Sequence, residues 1–319
     1  MQNKIVILGT GGTIAGAAAS PTDTVGYTAA QFGVDELVAA VPALAGRPLE
    51  TAQVAQIDSK DMRFDVWCAL AAAAAGHLAR PEVAGVVVTH GTDTLEESAY
   101  FLQRVLSPAK PVVMVAAMRP ATALGADGPQ NLLDAVTLAG TPGVQGVLAV
   151  LAGTVHAGAE VRKTHPYRLD AFGSGDAGPL ARIEAGRLRQ FRNWPASGAA
   201  EAARLAQKVA QAAGRWPWVE ILTSTTGTDG RAVDALRAAG VAGIVAAGTG
   251  NGALHGAMEA ALREAQAAGV RVLRCTRCAE GGVIDTAGAL PSAGTLTPQQ
   301  ARVALLLALL DTPGGDARP

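Results

Sequence analysis

Two glycine-rich turns hold the side chains of this sequence best suited to breaking a covalent bond. The first, Gly9-Thr10-Gly11-Gly12-Thr13-Ile14-Ala15-Gly16, sets the hydroxyls of Thr10 and Thr13 among glycines. Glycine lets the backbone approach a ligand closely, and a threonine hydroxyl becomes a nucleophile when a base or strong acceptor takes its proton. The second, His90-Gly91-Thr92-Asp93-Thr94-Leu95-Glu96-Glu97, crowds two more threonines and an aspartate into one turn. A helix N-cap at Asp93 or Thr94, with Glu96 and Glu97 favoured by the helix dipole, accounts for part of that sequence. It leaves Thr92 and a second polar side chain unexplained. The first turn is a poor phosphate loop: a G-x-G-x-x-G pattern from Gly9 and Gly11 needs glycine at position 14, which is Ile14, and no Gly-Lys-Ser/Thr follows. Hydroxyl-based attack on a small polar substrate is the chemistry these residues suit.

Such turns need rigid strands behind them. Ile5 to Leu8, Gln53 to Ile57, Val83 to Thr89, Val112 to Val115 and Val144 to Leu151 read as strands, and Asp61 to His77, Leu95 to Leu106 and Gln130 to Ala139 as helices between them. Strands separated by helices imply parallel βαβ units, whose ligands bind at the carboxyl ends of the strands. The fold class expected is α/β, a larger doubly wound N-terminal domain followed by a smaller α/β domain. From Arg187 to Arg215 the pattern dissolves into basic sequence containing Pro, Gly and Ala; alternation resumes at Val219 to Leu222, Gly243 to Ala247 and Val270 to Leu273, and closes on a Pro298 to Leu310 helix. The expected division is therefore a catalytic domain at 1–189, a linker at 190–213 and a second domain at 214–319. No fixed-period repeat is visible.

Composition narrows the possible functions. The 319 residues are 49% hydrophobic and 17% charged, too apolar to stay unfolded in water. The formal net charge of -1 comes without a block of like charge that could track a phosphate backbone or a lipid surface, so neither nucleic acid nor membrane is an expected partner. Only four apolar residues, Ile5 to Leu8, precede the first glycine, too few for a signal-peptide core; the expected location is cytoplasmic. Three cysteines, Cys68, Cys275 and Cys278, do not make a disulfide framework. Cys275 and Cys278 lack the second ligand pair zinc needs, and the five histidines show no H-E-x-x-H arrangement. No metal and no cofactor is expected. The rival signal is Gly248-Thr249-Gly250-Asn251-Gly252-Ala253, which satisfies G-x-G-x-x-G/A and would make the protein an NADP-dependent oxidoreductase. Against it, the next strand ends in Arg271-Val272-Leu273-Arg274 with no acidic ribose ligand.

Five segments taken together resemble the asparaginase/glutaminase amidohydrolases of the bacterial L-asparaginase type: Thr10-Gly-Gly-Thr13-Ile-Ala-Gly16, Ser59-Lys60-Asp61-Met62, Thr89-His-Gly-Thr-Asp-Thr-Leu-Glu-Glu97, Ala117-Met-Arg-Pro120 and Gly248-Thr-Gly-Asn-Gly252. They occur in the family's order across almost the whole chain. The resemblance implies hydrolysis of the side-chain amide of L-asparagine to L-aspartate and ammonia, with weaker action on glutamine. It implies Thr13 as nucleophile, assisted by Tyr27 on the following loop, and Thr92, Asp93 and Lys163 as a second constellation, in which burial would let the lysine act as a base. It also implies Ser59 and Asp93 as contacts to the substrate's charged groups, Ala117 as backbone facing the leaving amide, and Asn251 as a residue supplied by a neighbouring subunit of a homotetramer, a dimer of dimers.

Two positions depart from the better-known periplasmic members. Lys60 stands where they carry glutamine, and could bind the substrate carboxylate directly. The stretch from Cys275 to Gly294 is shorter than the one from which they supply a glutamate to the substrate ammonium, leaving Glu280, besides Asp285, as the acidic candidate. A non-catalytic amino-acid-binding protein on the same fold is the remaining alternative, disfavoured by the presence together of Thr13, Tyr27, Thr92, Asp93 and Lys163.

Overall fold

The computed structural model describes residues 3–196 and 198–312. Contacts divide the chain into two compact units, one ending at Arg204 and the other beginning at Leu205.

The first unit opens with β1 (Lys4–Gly11), the hairpin strands β2 (Ala17–Ala18) and β3 (Tyr27–Thr28), α1 (Val34–Ala39), β4 (Leu49–Ile57), α2 (Phe64–Leu78), β5 (Val83–Thr89) and α3 (Leu95–Leu106). It continues through β6 (Val112–Val115), α4 (Gly128–Ala139), β7 (Val147–Leu151), β8 (Thr154–Ala157), the short ribbon of β9 (Arg162–Lys163) and β10 (Phe172–Gly173), and the hairpin β11 (Ala181–Glu184) and β12 (Arg187–Gln190). Its main sheet has eight strands in the order β12-β11-β8-β7-β6-β5-β1-β4. β4, β1, β5, β6 and β7 run parallel, and β8, β11 and β12 extend that array antiparallel.

The central strands are apolar without alternation because both faces are covered. Ile5, Ile7, Val87, Val113 and Val115 pack with Val34 and Leu37 of α1 and with Leu132, Ala135 and Val136 of α4. The alternate residues Val6, Leu8, Val86, Val88 and Met114 are as deeply buried and face the opposite way, toward α2 and α3. Those two helices lock together where Trp67 stacks on Phe101, ring centroids 4.8 Å apart, while the Trp67 indole donates to Ser98 Oγ.

The second unit carries the parallel strands β13 (Val219–Thr223), β14 (Gly243–Gly248) and β15 (Arg271–Thr276), in that order, with α6 (Arg231–Ala238), α7 (Gly256–Ala267) and α8 (Pro298–Asp311). Val233, Ile244, Met258, Leu262 and Val272 centre its core. α8 begins on a capping box of Thr297 and Gln300 and lies against all three strands. The α/β class and the larger-then-smaller arrangement are as expected.

One segment differs from the sequence reading. Arg187–Gln190 is the edge strand β12 and Ala199–Ala212 the helix α5, so most of the stretch expected to be linker is ordered structure, and the boundary between the units falls inside that helix. Its alanines, which hide the apolar period in the sequence, are good helix formers. No helix among the described residues is long and apolar enough to cross a membrane.

Candidate active site

β1 and β5 are hydrogen-bonded neighbours, with Gly9 opposite Thr89, so the turns that follow them meet at one edge of the sheet. They meet backbone to backbone. Gly11 and Gly12 have φ of +100° and +81°, and a Cβ on Gly12 would lie 2.3 Å from the Cα of Gly91. A Cβ on Gly91 would in turn lie 2.4 Å from Ser59 Oγ. Three segments, after β1, β4 and β5, are thus packed more tightly than any side chain at these glycines allows.

Thr13 begins a short 3-10 turn at Thr13–Ala15 and is buried. Its Oγ1 lies 2.7 Å from the Tyr27 hydroxyl. Tyr27 reaches it because β2 and β3 pair Ala18 with Tyr27 and because Gln31 and Phe32 both donate to Ala15 O.

Across the contact, buried Thr92 accepts a hydrogen bond from Lys163 Nζ at 2.8 Å, and the same Nζ donates to Asp93 Oδ1 at 2.7 Å. Lys163 arrives on β9, whose partner β10 pairs Phe172 with Lys163. That ribbon is pinned by Ser174, whose Oγ is 2.8 Å from His156 Nδ1. Ser59 is buried on the 3-10 turn Ser59–Asp61, where its Oγ accepts from Asp93 N at 3.2 Å and its carbonyl accepts from Thr94 Oγ1 at 2.8 Å. Thr13, Tyr27, Ser59, Thr92, Asp93 and Lys163 are therefore borne by three touching segments and the two ribbons that feed them.

The remaining candidates fall elsewhere or are otherwise engaged. Ala117 is buried after β6, where Asp127 accepts from Met118 N and Arg119 N, both at 3.0 Å. Lys60 is exposed, and its Nζ sits 2.6 Å from Asp58 and 3.4 Å from Asp61, so two carboxylates already hold the charge considered for a substrate carboxylate; Asp58 first of all holds it above the usual lysine range. Asn251 and Glu280 belong to the second unit. The Asn251 side chain spends both ends on one backbone segment, donating to Ile284 O at 2.9 Å and accepting from Ile284 N at 2.7 Å. Glu280 is exposed in the bend after β15.

Four residues escaped the sequence reading. Asp127 and Asn131 clamp the Ala116–Arg119 corner, with Asn131 Nδ2 donating to both Ala116 O and Asp127 Oδ2; the i, i+4 spacing at the start of α4 was the available signal. His90 is fully buried, its Nδ1 donating to Gly91 O at 2.7 Å while Nε2 has no hydrogen-bond partner among the described residues. Burial pushes its pKa down to about 4, so the neutral ring holds the second turn in shape. Glu96, read above as a dipole-favourable residue, instead accepts the Lys163 backbone N–H on Oε2 at 2.8 Å. Only the tertiary fold brings positions 96 and 163 together.

Gly248-Thr249-Gly250-Asn251-Gly252 folds onto itself: Thr249 and Ala253 exchange backbone hydrogen bonds, and a Cβ on Gly248 would lie 2.4 Å from Gly252 C. Arg274, buried beneath it, donates to Asn251 O and Gly252 O. The glycines here close a loop over an arginine.

Residues 4–196 match the family described as Asparaginase, N-terminal, and residues 218–317 match the Glutaminase/Asparaginase C-terminal domain. The chain belongs to the asparaginase family. It is 39% identical to L-asparaginase 2 of Escherichia coli (strain K12), over 97% of this chain and 89% of that one. It is 36% identical to a glutaminase-asparaginase of Pseudomonas fluorescens biotype A, over 97% and 87%. The crystal structure of a probable cytoplasmic L-asparaginase from Campylobacter jejuni superposes with a TM-score of 0.89 at 38% identity, covering 99% of this chain and 97% of that one. The dinucleotide reading of Gly248–Ala253 is not supported, since that loop lies within the stretch matched by the asparaginase C-terminal domain.

Proposed function

We propose that this protein hydrolyses the side-chain amide of L-asparagine to L-aspartate and ammonia, with Thr13 as the nucleophile. The observation that carries the reading is the pair of hydroxyls on touching turns, each already bonded to the group that would manage its proton: Thr13 to Tyr27 at 2.7 Å, and Thr92 to Lys163 at 2.8 Å. Thr13 Oγ1 attacks the amide carbon as its proton passes to the hydrogen-bonded Tyr27 oxygen, and the phenol hands its own proton on to the leaving nitrogen. The charge that develops on the carbonyl oxygen calls for backbone N–H donors at the turns. The C–N bond breaks, the nitrogen leaves as ammonia after taking a proton, and the acyl ester on Thr13 remains. A water activated at the Thr92–Lys163 pair then adds to the ester, releasing aspartate and returning the proton to Thr13. Asp93 holds Lys163 in register and, with its half-exposed carboxylate, is suited to the substrate ammonium, while Ser59 and the backbone at Ala117 frame the rest of the substrate.

In this reading Asn251 and Glu280 complete the site from a neighbouring subunit of a homotetramer, and Lys60 sits at its rim. Names among the relatives support different compartments: the Campylobacter jejuni protein is described as cytoplasmic, whereas a Haemophilus influenzae relative, 36% identical, is described as periplasmic. We place this protein in the cytoplasm, the compartment named for the Campylobacter jejuni relative, which it matches over 99% of its length.

The test is ammonia release from L-asparagine, L-glutamine and their D-isomers by wild type and Thr13→Ala. Wild-type turnover of L-asparagine with loss of at least about a thousandfold in the variant supports the reading. A wild type as silent as the variant on the whole panel removes it.

A further inference from the structure

The geometry points to Glu96 as a positioning residue for catalysis: its carboxylate holds the Lys163 backbone, and so sets where the lysine amine meets Thr92. This rests on the role proposed for Lys163. Glu96 sits in the first turn of α3, directly after the turn that carries Thr92 and Asp93. Its Oε2 accepts the Lys163 N–H at 2.8 Å, while Lys163 Nζ returns to Thr92 and Asp93. One residue is thereby tied at both its ends to a single five-residue stretch, Thr92 to Glu96. β9 is only two residues long, and two residues of ribbon give little stiffness of their own; the Glu96 bond supplies a fixed point on the rigid helix.

The environment shows that this carboxyl is held at a cost. Burial pushes its pKa up to about 7, Glu97 adds to the rise, and the Lys163 N–H bond, Arg162 and the Lys163 charge pull against it. Near neutral pH the carboxyl therefore exchanges a proton. The ionised form makes the stronger, charge-assisted bond to the N–H, so positioning tightens as pH rises through 7.

The experiment compares Glu96→Ala and Glu96→Gln. Alanine removes the acceptor, and kcat for L-asparagine should fall about tenfold or more while KM moves less than about threefold, since misplacement of a catalytic group is felt in the chemical step. Glutamine keeps a neutral acceptor at the same reach and should restore kcat to within about threefold of wild type. The wild-type to Glu96→Gln ratio of kcat should rise between about pH 6 and about pH 8, because the amide does not titrate.

An alanine variant with kcat within about twofold of wild type, a glutamine variant no better than alanine, or a flat ratio across that range overturns the proposal. If alanine prevents folding, the glutamine variant and its pH ratio decide alone. Lys163→Met run alongside separates the two layers: activity retained in that variant removes the lysine's role itself, whatever Glu96 does. With activity lost there, the Glu96 variants judge positioning only.

Discussion

At the scale of single residues, the site consists of ordinary side chains made unusual by their partners. Tyr27 is half-buried and hydrogen-bonded to a buried threonine, so Tyr27→Phe deletes one oxygen and leaves the ring that packs at Gly16. Its kcat should drop by about a hundredfold or more with KM little changed; steady-state kinetics on L-asparagine checks this, and an unchanged kcat would remove Tyr27 from the proton path. Preference between amides belongs to this scale too. One added methylene in a pocket bounded by Thr13 and Thr92 is worth about 1–3 kcal/mol, so kcat/KM should favour asparagine over glutamine, and equal values contradict the ranking. Cysteine chemistry is equally local: burial pushes the Cys275 thiol up to about 11, while Cys278 is exposed. A disulfide reagent at pH 8 should label Cys278 in the native protein and leave Cys275 until denaturant is added.

Elements contribute by how closely their turns approach. The Gly12–Gly91–Ser59 contact leaves no room for a methyl group, so Gly91→Ala must push the turn after β5 away from that after β4. It should lower both kcat and the melting temperature. Gly76 provides the control, being exposed on α2 with open space around its Cα. Gly76→Ala should raise stability by about 0.5–1 kcal/mol and leave kcat unchanged. Differential scanning calorimetry with an asparagine assay on the pair separates backbone crowding from general glycine loss; equal effects would refute the argument. The ribbon of β9 and β10 is the element that sequence periodicity could not reveal, since two residues a side carry no period. Lys163 was singled out only through resemblance, and its anchor Glu96 lies 67 positions away in sequence.

For the whole molecule, buried ionisable groups set the response to pH. His90 and His156 both have their pKa pushed down to about 4 by burial. The unfolded chain takes up those protons first as pH falls, so stability is intact above about 6.5 and is lost toward pH 4. Each histidine costs on the order of 2 kcal/mol at pH 5. Glu96 has the opposite sign: its pKa is raised to about 7, so its contribution is fully present below about 4.5 and is lost as pH rises through 7. Urea titrations should therefore show stability rising from pH 5 to pH 7, and rising more steeply in Glu96→Gln, which removes the opposing group. An identical slope in the two proteins would show that Glu96 titrates normally. Assembly is the other property at this scale. Sedimentation velocity at micromolar concentration should give a mass near four chains, and an active monomer would remove Asn251 and Glu280 from the site.

The sequence by itself determined the parallel α/β frame, because strands buried on both faces must be apolar throughout and the helices between them periodic. It also located the two hydroxyl-bearing turns, since glycine density at strand ends records a backbone contact that no side chain tolerates. Tertiary structure alone decided which charged side chains anchor the loops. Glu96 on Lys163, Asp127 on Met118 and Arg119, and Arg274 under the second unit's glycine loop are charged side chains bonded to main-chain atoms. A hydrogen bond to a backbone amide or carbonyl asks nothing of the partner's side chain, so it leaves no mark on the partner's identity and none in the spacing between them.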